Sequence, residues 1–281
     1  MLSYRHGYHA GNFADVLKHT ILLEILSLIQ KKEKPFVYID THAGAGGYSL
    51  RHEYAQKTKE YEDGIKRVQM ASQSRPQVVD SYLNAVKLFG SEEGAGEHYP
   101  GSPWLAINAL RKQDSSFLFE LHKNEFINLR ERFSDNKRVK LSNRNGLEGL
   151  VSLVPPVQRR AVILIDPSYE DKVEYQQLVR TISQAHRKFA TGIYVLWYPV
   201  VDRQNTDSMI SRLRETGIKR QLRIEHCISA DTKELGMTGS GLLVINPPWK
   251  LDDTARQIIS YLCSVFDSST KLSTVRWEVG E

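Results

Sequence analysis

Phe36-Val37-Tyr38-Ile39-Asp40 runs directly into Thr41-His42-Ala43-Gly44-Ala45-Gly46-Gly47-Tyr48, an apolar run that ends in a carboxylate and then in a glycine-rich turn. With Pro35 bounding it upstream, the run reads as a short buried strand. Similar runs follow at 117–121, 138–142, 161–165, 192–197, 222–228 and 242–245. Stretches with apolar residues at helical spacing separate most of them, at 123–133, 175–189 and 205–216, and another precedes the first strand at 14–30. Alternation of this kind predicts an α/β fold, a largely parallel sheet with helices on both faces. In such a sheet the ligand lies outside the carboxyl end of the first strand, at the glycine turn.

The turn narrows the ligand class. A phosphate-binding loop needs Gly-Lys-Ser/Thr, and here Gly46 is followed by Gly47 and Tyr48. A dinucleotide fingerprint wants glycine or alanine at position 49, which is Ser49, so that reading is weakened without being removed. Glu120, at the end of the second strand, stands where an acidic residue accepts hydrogen bonds from the hydroxyls of an adenosine ribose. S-adenosylmethionine has no pyrophosphate and needs glycines for close backbone approach, which suits His42, Gly44 and Gly46.

The fourth strand, Ala161-Val162-Ile163-Leu164-Ile165, ends in Asp166-Pro167-Ser168-Tyr169. A carboxylate and a backbone carbonyl in a proline-fixed turn can hold an exocyclic amine while the tyrosine stacks on the ring that bears it. Asn246-Pro247-Pro248-Trp249 offers a second proline-fixed turn with a polar side chain and an aromatic ring, but it follows the last strand. If that strand is antiparallel, its end lies at the opposite edge from the cofactor.

The chain has 281 residues, with 38 Lys and Arg against 33 Asp and Glu, a net charge of +5 that favours a polyanionic partner. Basic residues occur in pairs, as at Arg159-Arg160, Arg187-Lys188 and Lys219-Arg220, suited to tracking phosphates. Two cysteines, Cys227 and Cys263, give no disulfide framework, and a reducing cytoplasmic compartment fits. His6 and His9 lack carboxylate or cysteine partners at ligand spacing, so no metal is expected. No run has the roughly 18 apolar residues of a membrane span. About seventy residues separate the glycine turn from the second strand, far more than a crossover helix requires. Residues 50–99 therefore read as a small inserted helical subdomain, with helices at 61–70 and 78–89, within one domain spanning 1–281.

Together, Asp40 to Gly46, Glu120 and Asp166-Pro167-Ser168-Tyr169 resemble the Rossmann-like amino-methyltransferases, whose tetrapeptide is Asp/Asn-Pro-Pro-Tyr/Phe. A closer match lies in Ser3-Tyr4-Arg5-His6-Gly7-Tyr8-His9-Ala10-Gly11-Asn12 with Ala14-Asp15-Val16-Leu17-Lys18-His19. Tyr99-Pro100-Gly101-Ser102-Pro103 and Leu196-Trp197-Tyr198-Pro199-Val200-Val201 extend it. These are similar to the bacterial 23S ribosomal RNA adenine-N6 methyltransferases of the RlmJ type. The resemblance implies a seven-stranded, mostly parallel sheet with an antiparallel last strand, and S-adenosylmethionine-dependent N6-methylation of an adenine in 23S ribosomal RNA, adenine 2030 in particular. It implies a monomer, cofactor contacts from His19, His42, Ser102 and Glu120 with Lys18 nearby, and a catalytic Asp166 acting with Pro167. Tyr4 and Tyr169 are the implied substrate contacts. Asn145-Gly146 stands where the family has Asp-Gly to hold the cofactor adenine, and Ser168 stands where it has a second proline. DNA adenine or a protein amide as substrate, or an RNA-binding protein with weakened catalysis, are the competing expectations.

Overall fold

Val37, Tyr38, Ile39 and Asp40 are all buried, because the strand they form lies between two parallel neighbours and under helices on both faces. The computed structural model describes residues 5–94, 97–232 and 236–280. In chain order the strands are β1 (Val37–Asp40), β2 (Gly47–Ser49), β3 (His98–Pro100), β4 (Ser115–Phe119), β5 (Val139–Ser142), β6 (Ala161–Ile165), β7 (Ile193–Val200), β8 (Gln221–Cys227), β9 (Gly239–Ile245) and β10 (Thr274–Val279). The α-helices are α1 (Phe13–Gln30), α2 (Glu53–Thr58), α3 (Arg67–Met70), α4 (Gln77–Glu92), α5 (Ser102–Ala109), α6 (Lys123–Phe133), α7 (Gly146–Leu153), α8 (Lys172–Lys188), α9 (Arg203–Glu215) and α10 (Leu251–Val265).

Among the described residues, eight strands form the main sheet in the order β10-β8-β9-β7-β6-β1-β4-β5, and β2 with β3 makes a separate ribbon. The sheet has one strand more than the expected seven. β9 runs antiparallel to both β7 and β8, and β10 adds an antiparallel edge beside β8. The chain passes from β1 outward to β4 and β5, then returns across β1 to β6, so the strand order reverses beside β1. That reversal opens a crevice at the carboxyl ends, where open sheets of this class place their ligand.

Alternate residues of each inner strand feed two apolar clusters. Tyr38, Val162, Leu164 and Val195 join α1, α5 and α10 on one face. Val37, Ile39, Ile163, Ile165 and Leu196 join α7, α8 and α9 on the other. α1 is buried nearly all round, Ser27 alone being exposed, because it lies under several partners. Val79, Tyr82 and Phe89 of α4 belong to the same cluster as α1, so the helices between β2 and β3 rest on the sheet's own core. Residues 61–70 do not form the single expected helix. Gly64 breaks it with non-helical dihedrals, leaving a π-helical turn, Glu62–Lys66, ahead of α3. No helix of the described residues is long and apolar enough to cross a membrane.

Candidate active site

Asp15, Lys18 and His19 sit at i, i+3 and i+4 on α1, a spacing that places three polar side chains on one stripe of a largely buried helix. Asn12 caps the helix by accepting the Asp15 backbone N–H at 2.9 Å. The Lys18 ammonium lies 2.9 Å from the Asp15 carboxylate and 2.6 Å from that of Asp166. Its position 5.3 Å from the centre of the Trp197 ring adds a cation–π contact. Burial alone would raise the Asp15 carboxyl, but the His6 imidazole bonded to it at 2.9 Å and the adjacent Lys18 ammonium hold it well below the usual range. Burial also pushes His19 down to about 3, so its imidazole is neutral, and its Nδ1 bonds the Tyr99 hydroxyl at 2.8 Å.

The turn after β1 is fixed from both sides. Asp40 accepts from the Tyr38 hydroxyl at 2.6 Å, the Ser102 hydroxyl at 2.7 Å and the His42 N–H at 3.2 Å. Burial raises this carboxyl to about 6. His42 is pushed down to about 4 by burial and bonds the Thr41 hydroxyl through Nδ1 at 2.8 Å. Gly44 has a φ of +60°, and a Cβ there would lie 2.2 Å from the Tyr48 hydroxyl, so only glycine fits. Its N–H donates to Glu120 at 2.7 Å, and the His122 N–H donates to the other Glu120 oxygen at 2.6 Å. Burial raises the Glu120 carboxyl.

Asn145 caps α7, its side-chain oxygen accepting from Leu147 N–H at 2.9 Å and Glu148 N–H at 3.3 Å. Gly146 brings the start of α7 against the turn after β1. A Cβ on it would stand 1.9 Å from the Thr41 carbonyl oxygen. A narrow cavity of about 160 Å³ opens between these turns, lined by Lys18, His19, His42, Gly44, Ser102, Glu120, Asn145, Gly146, Asp166 and Pro167. Of the residues expected to meet a cofactor, Gly46 alone is outside this lining. Its carbonyl accepts from Gly101 N–H at 3.1 Å, so it shapes the turn from behind.

A second, open cavity of about 1400 Å³ lies on the other side of Asp166 and is lined in part by Tyr169, Tyr175, Trp197 and Pro199. His6, Lys18, Asp166 and Ser168 line both. Tyr169 has a φ of +56°, and its hydroxyl donates to the Trp197 carbonyl at 2.6 Å. Its ring meets Tyr175 at a tilt, with centroids 4.8 Å apart, and Trp197 edge-on at 6.0 Å. Tyr4 lies outside the described residues. Asn246 is at the far edge of the sheet, donating to the carbonyls of Ala190 and Gly192 at 2.7 and 2.9 Å. The antiparallel direction of β9 puts it there, and it lines neither cavity.

Sequence reasoning missed Asp15 as a site residue, although its helical spacing from Lys18 and His19 was a usable signal. Tyr175 gave none, since an aromatic residue in a helix ordinarily reads as core, and Trp197 stood in a matched stretch without a role assigned to it.

A family model described as Ribosomal RNA large subunit methyltransferase D, RlmJ, matches residues 33–279. The chain is 46% identical over 282 residues to the Ribosomal RNA large subunit methyltransferase J of Escherichia coli (strain K12), covering 100% of both chains. It is 42% identical to the protein of the same name from Haemophilus influenzae, over 99% of each. A crystal structure of a Legionella pneumophila protein, 37% identical, superposes with a TM-score of 0.87 over 97% of this chain and 99% of that one. The chain therefore belongs to the family of ribosomal RNA large subunit methyltransferases of the RlmJ type.

Proposed function

We propose that this protein transfers a methyl group from S-adenosylmethionine to the N6 amino group of an adenine in 23S ribosomal RNA, adenine 2030 in particular. The observation that carries the reading is the place of Asp166, on the wall shared by a narrow cavity and an open cleft. Donor and acceptor can meet only where the two spaces join. The named relatives, both ribosomal RNA large subunit methyltransferases, supply the substrate class.

The narrow cavity fits the cofactor. The Gly44 N–H, which a pyrophosphate would need, is already given to Glu120. Glu120 keeps lone pairs for ribose hydroxyls, while Leu121 and Leu147 are apolar neighbours suited to an adenine ring. Asn145 presents its amide beside Gly146 at the adenine end. The cofactor supplies an electrophilic methyl group. The protein's own residues do the rest. Asp166 and the Pro167 carbonyl each accept one hydrogen of the target amino group, turning its lone pair toward the donor. Lys18 fixes the Asp166 carboxylate, and Asp166 stabilises the developing positive charge and takes the proton. Tyr169 stacks on the extruded base, worth about 1–3 kcal/mol, and Tyr4 contacts the RNA. Residues 50–99 act as one inserted unit that walls the cleft through Thr58, Glu60, Asp63 and Arg67. The protein works as a monomer in the cytoplasm without a metal.

Calorimetry with S-adenosylmethionine followed by methyl transfer to RNA, DNA and protein tests the reading. Transfer to 23S RNA alone is expected. Tight cofactor binding without transfer to RNA overturns it.

A further inference from the structure

The basic pairs Arg159-Arg160, Arg187-Lys188 and Lys219-Arg220 are spread over some sixty residues of sequence, and the sheet gathers them on one edge. They lie just ahead of β6, β7 and β8, at the amino ends of parallel strands, opposite the catalytic turn. β9 runs the other way and delivers Asn246-Pro247-Pro248-Trp249-Lys250 to this same edge. There the Arg220 guanidinium donates to the Pro247 carbonyl at 3.2 Å, and the Asn246 N–H donates to the Arg220 carbonyl at 3.0 Å.

The connections on this edge are 31–36, 110–114, 134–138, 154–160, 187–192, 216–220 and 246–250. They hold fourteen Lys and Arg and three Asp and Glu, a charge of +11. The remainder of the chain holds 24 Lys and Arg against 30 Asp and Glu, a charge of −6. The overall +5 therefore arises wholly from one edge. Part of that charge is structural: Arg111 and Arg138 are half-buried and donate to backbone carbonyls nearby. Arg159, Arg187, Lys219 and Lys250 are exposed, and the Trp249 side chain beside them is 81% exposed.

The open cleft has the opposite character. Among its described lining residues, Lys18, Arg67 and Arg203 face seven Asp and Glu, together with His6 and His9. Such a cleft can receive a neutral base, but by charge it is poorly suited to a run of phosphates.

We propose that the basic edge is a second RNA-binding surface. It holds the phosphate backbone of a stretch of ribosomal RNA remote from the methylated base, and Trp249 offers its indole face to an unpaired base. This rests on the RNA-methylation reading above. β7, eight residues long, spans about 26 Å, so a hairpin with a stem of a few base pairs held at the cleft does not reach the edge, whereas a longer RNA reaches both.

The test is fluorescence anisotropy over a salt series with two RNAs, a 23S transcript of several hundred nucleotides and a short hairpin carrying the target adenine. The proteins are the full chain and its Arg159→Gln/Arg187→Gln/Lys219→Gln variant, whose altered side chains are exposed and lie outside the catalytic turn. The variant is expected to bind the long transcript about tenfold or more weakly, with a salt slope shallower by about 3. Its KM for that RNA rises while kcat and hairpin binding stay unchanged. Trp249→Ala is expected to weaken long-transcript binding about fivefold or more with the slope preserved. Unchanged affinity and slope for the long transcript overturn the proposal, and so does an equal loss on both RNAs. A wild-type protein that shows this edge-dependent binding yet transfers no methyl group supports the surface while sinking the methylation reading.

Discussion

The Lys18 ammonium stands 2.6 Å from the Asp166 carboxylate and 2.9 Å from Asp15, so a single buried charge ties helix α1 to the turn that ends β6. Removing it leaves the Asp15 carboxylate enclosed with less compensation. Lys18→Met is expected to destabilise the fold by about 3 kcal/mol and to lower methyl transfer at least 100-fold. Urea denaturation and single-turnover methylation check both. Unaltered stability would mean that the ammonium is dispensable to Asp15.

Gly146 tests the shape of the narrow cavity. An alanine there meets the Thr41 carbonyl at 1.9 Å and must push α7 away from the turn after β1. Gly146→Ala is expected to cost about 2 kcal/mol and to weaken S-adenosylmethionine binding tenfold or more by calorimetry. Binding within a factor of two of wild type would show that α7 does not border the cofactor.

Acid should destabilise the protein through its buried imidazoles. Burial lowers His42 and His226 to about 4 and His19 to about 3, against about 6.5 when unfolded. The unfolded chain therefore takes up protons that the folded chain refuses, and stability present above pH 6.5 is lost as the pH falls toward 4. Asp40 acts in the opposite sense. Raised by burial to about 6, it contributes fully below its unfolded value of 3.8 and loses that contribution as the pH rises through 6. Glu120, which burial also raises, acts in the same sense as Asp40, so the imidazole contribution is isolated at a single residue. His226, wholly buried beside Phe13 and Phe266, is outside both cavities. His226→Leu should therefore reduce the loss between pH 7 and pH 5 by about 2 kcal/mol. Denaturation curves at the two pH values measure it, and an undiminished loss would contradict the assignment.

Ser168 departs from the tetrapeptide of the wider class, and the structure gives that departure little to do. Its side chain borders both cavities, while Tyr169 is held independently through its bond to the Trp197 carbonyl. Ser168→Pro is expected to retain or raise methyl transfer. A marked loss would show that the turn depends on the serine backbone N–H.

The inner strands and α1 were legible because burial on both faces writes an unbroken apolar run, as in Ala161-Val162-Ile163-Leu164-Ile165. β10 was not. As an edge strand it is largely exposed or half-buried, with Trp277 41% exposed, so its residues carry no apolar run. α5 escaped for the opposite reason, being apolar all round and thus without a periodic signal. In the site, Glu120, Gly44 and Asp166 were readable from their places at strand ends. The contact between Lys18 and Asp166 spans 148 positions and follows only from the crossover that sets β6 beside β1.

In the proposed reaction everything turns on Asp166 presenting an adenine amino group of 23S RNA to the methyl donor. Mass spectrometry of 23S RNA from a strain lacking this gene, complemented with either wild-type protein or Asp166→Asn, tests it most directly. N6-methyladenine is expected to be lost on deletion, restored by the wild type, and absent with Asp166→Asn even though that protein folds and binds S-adenosylmethionine. Full methylation with Asp166→Asn, or no loss on deletion, would contradict it.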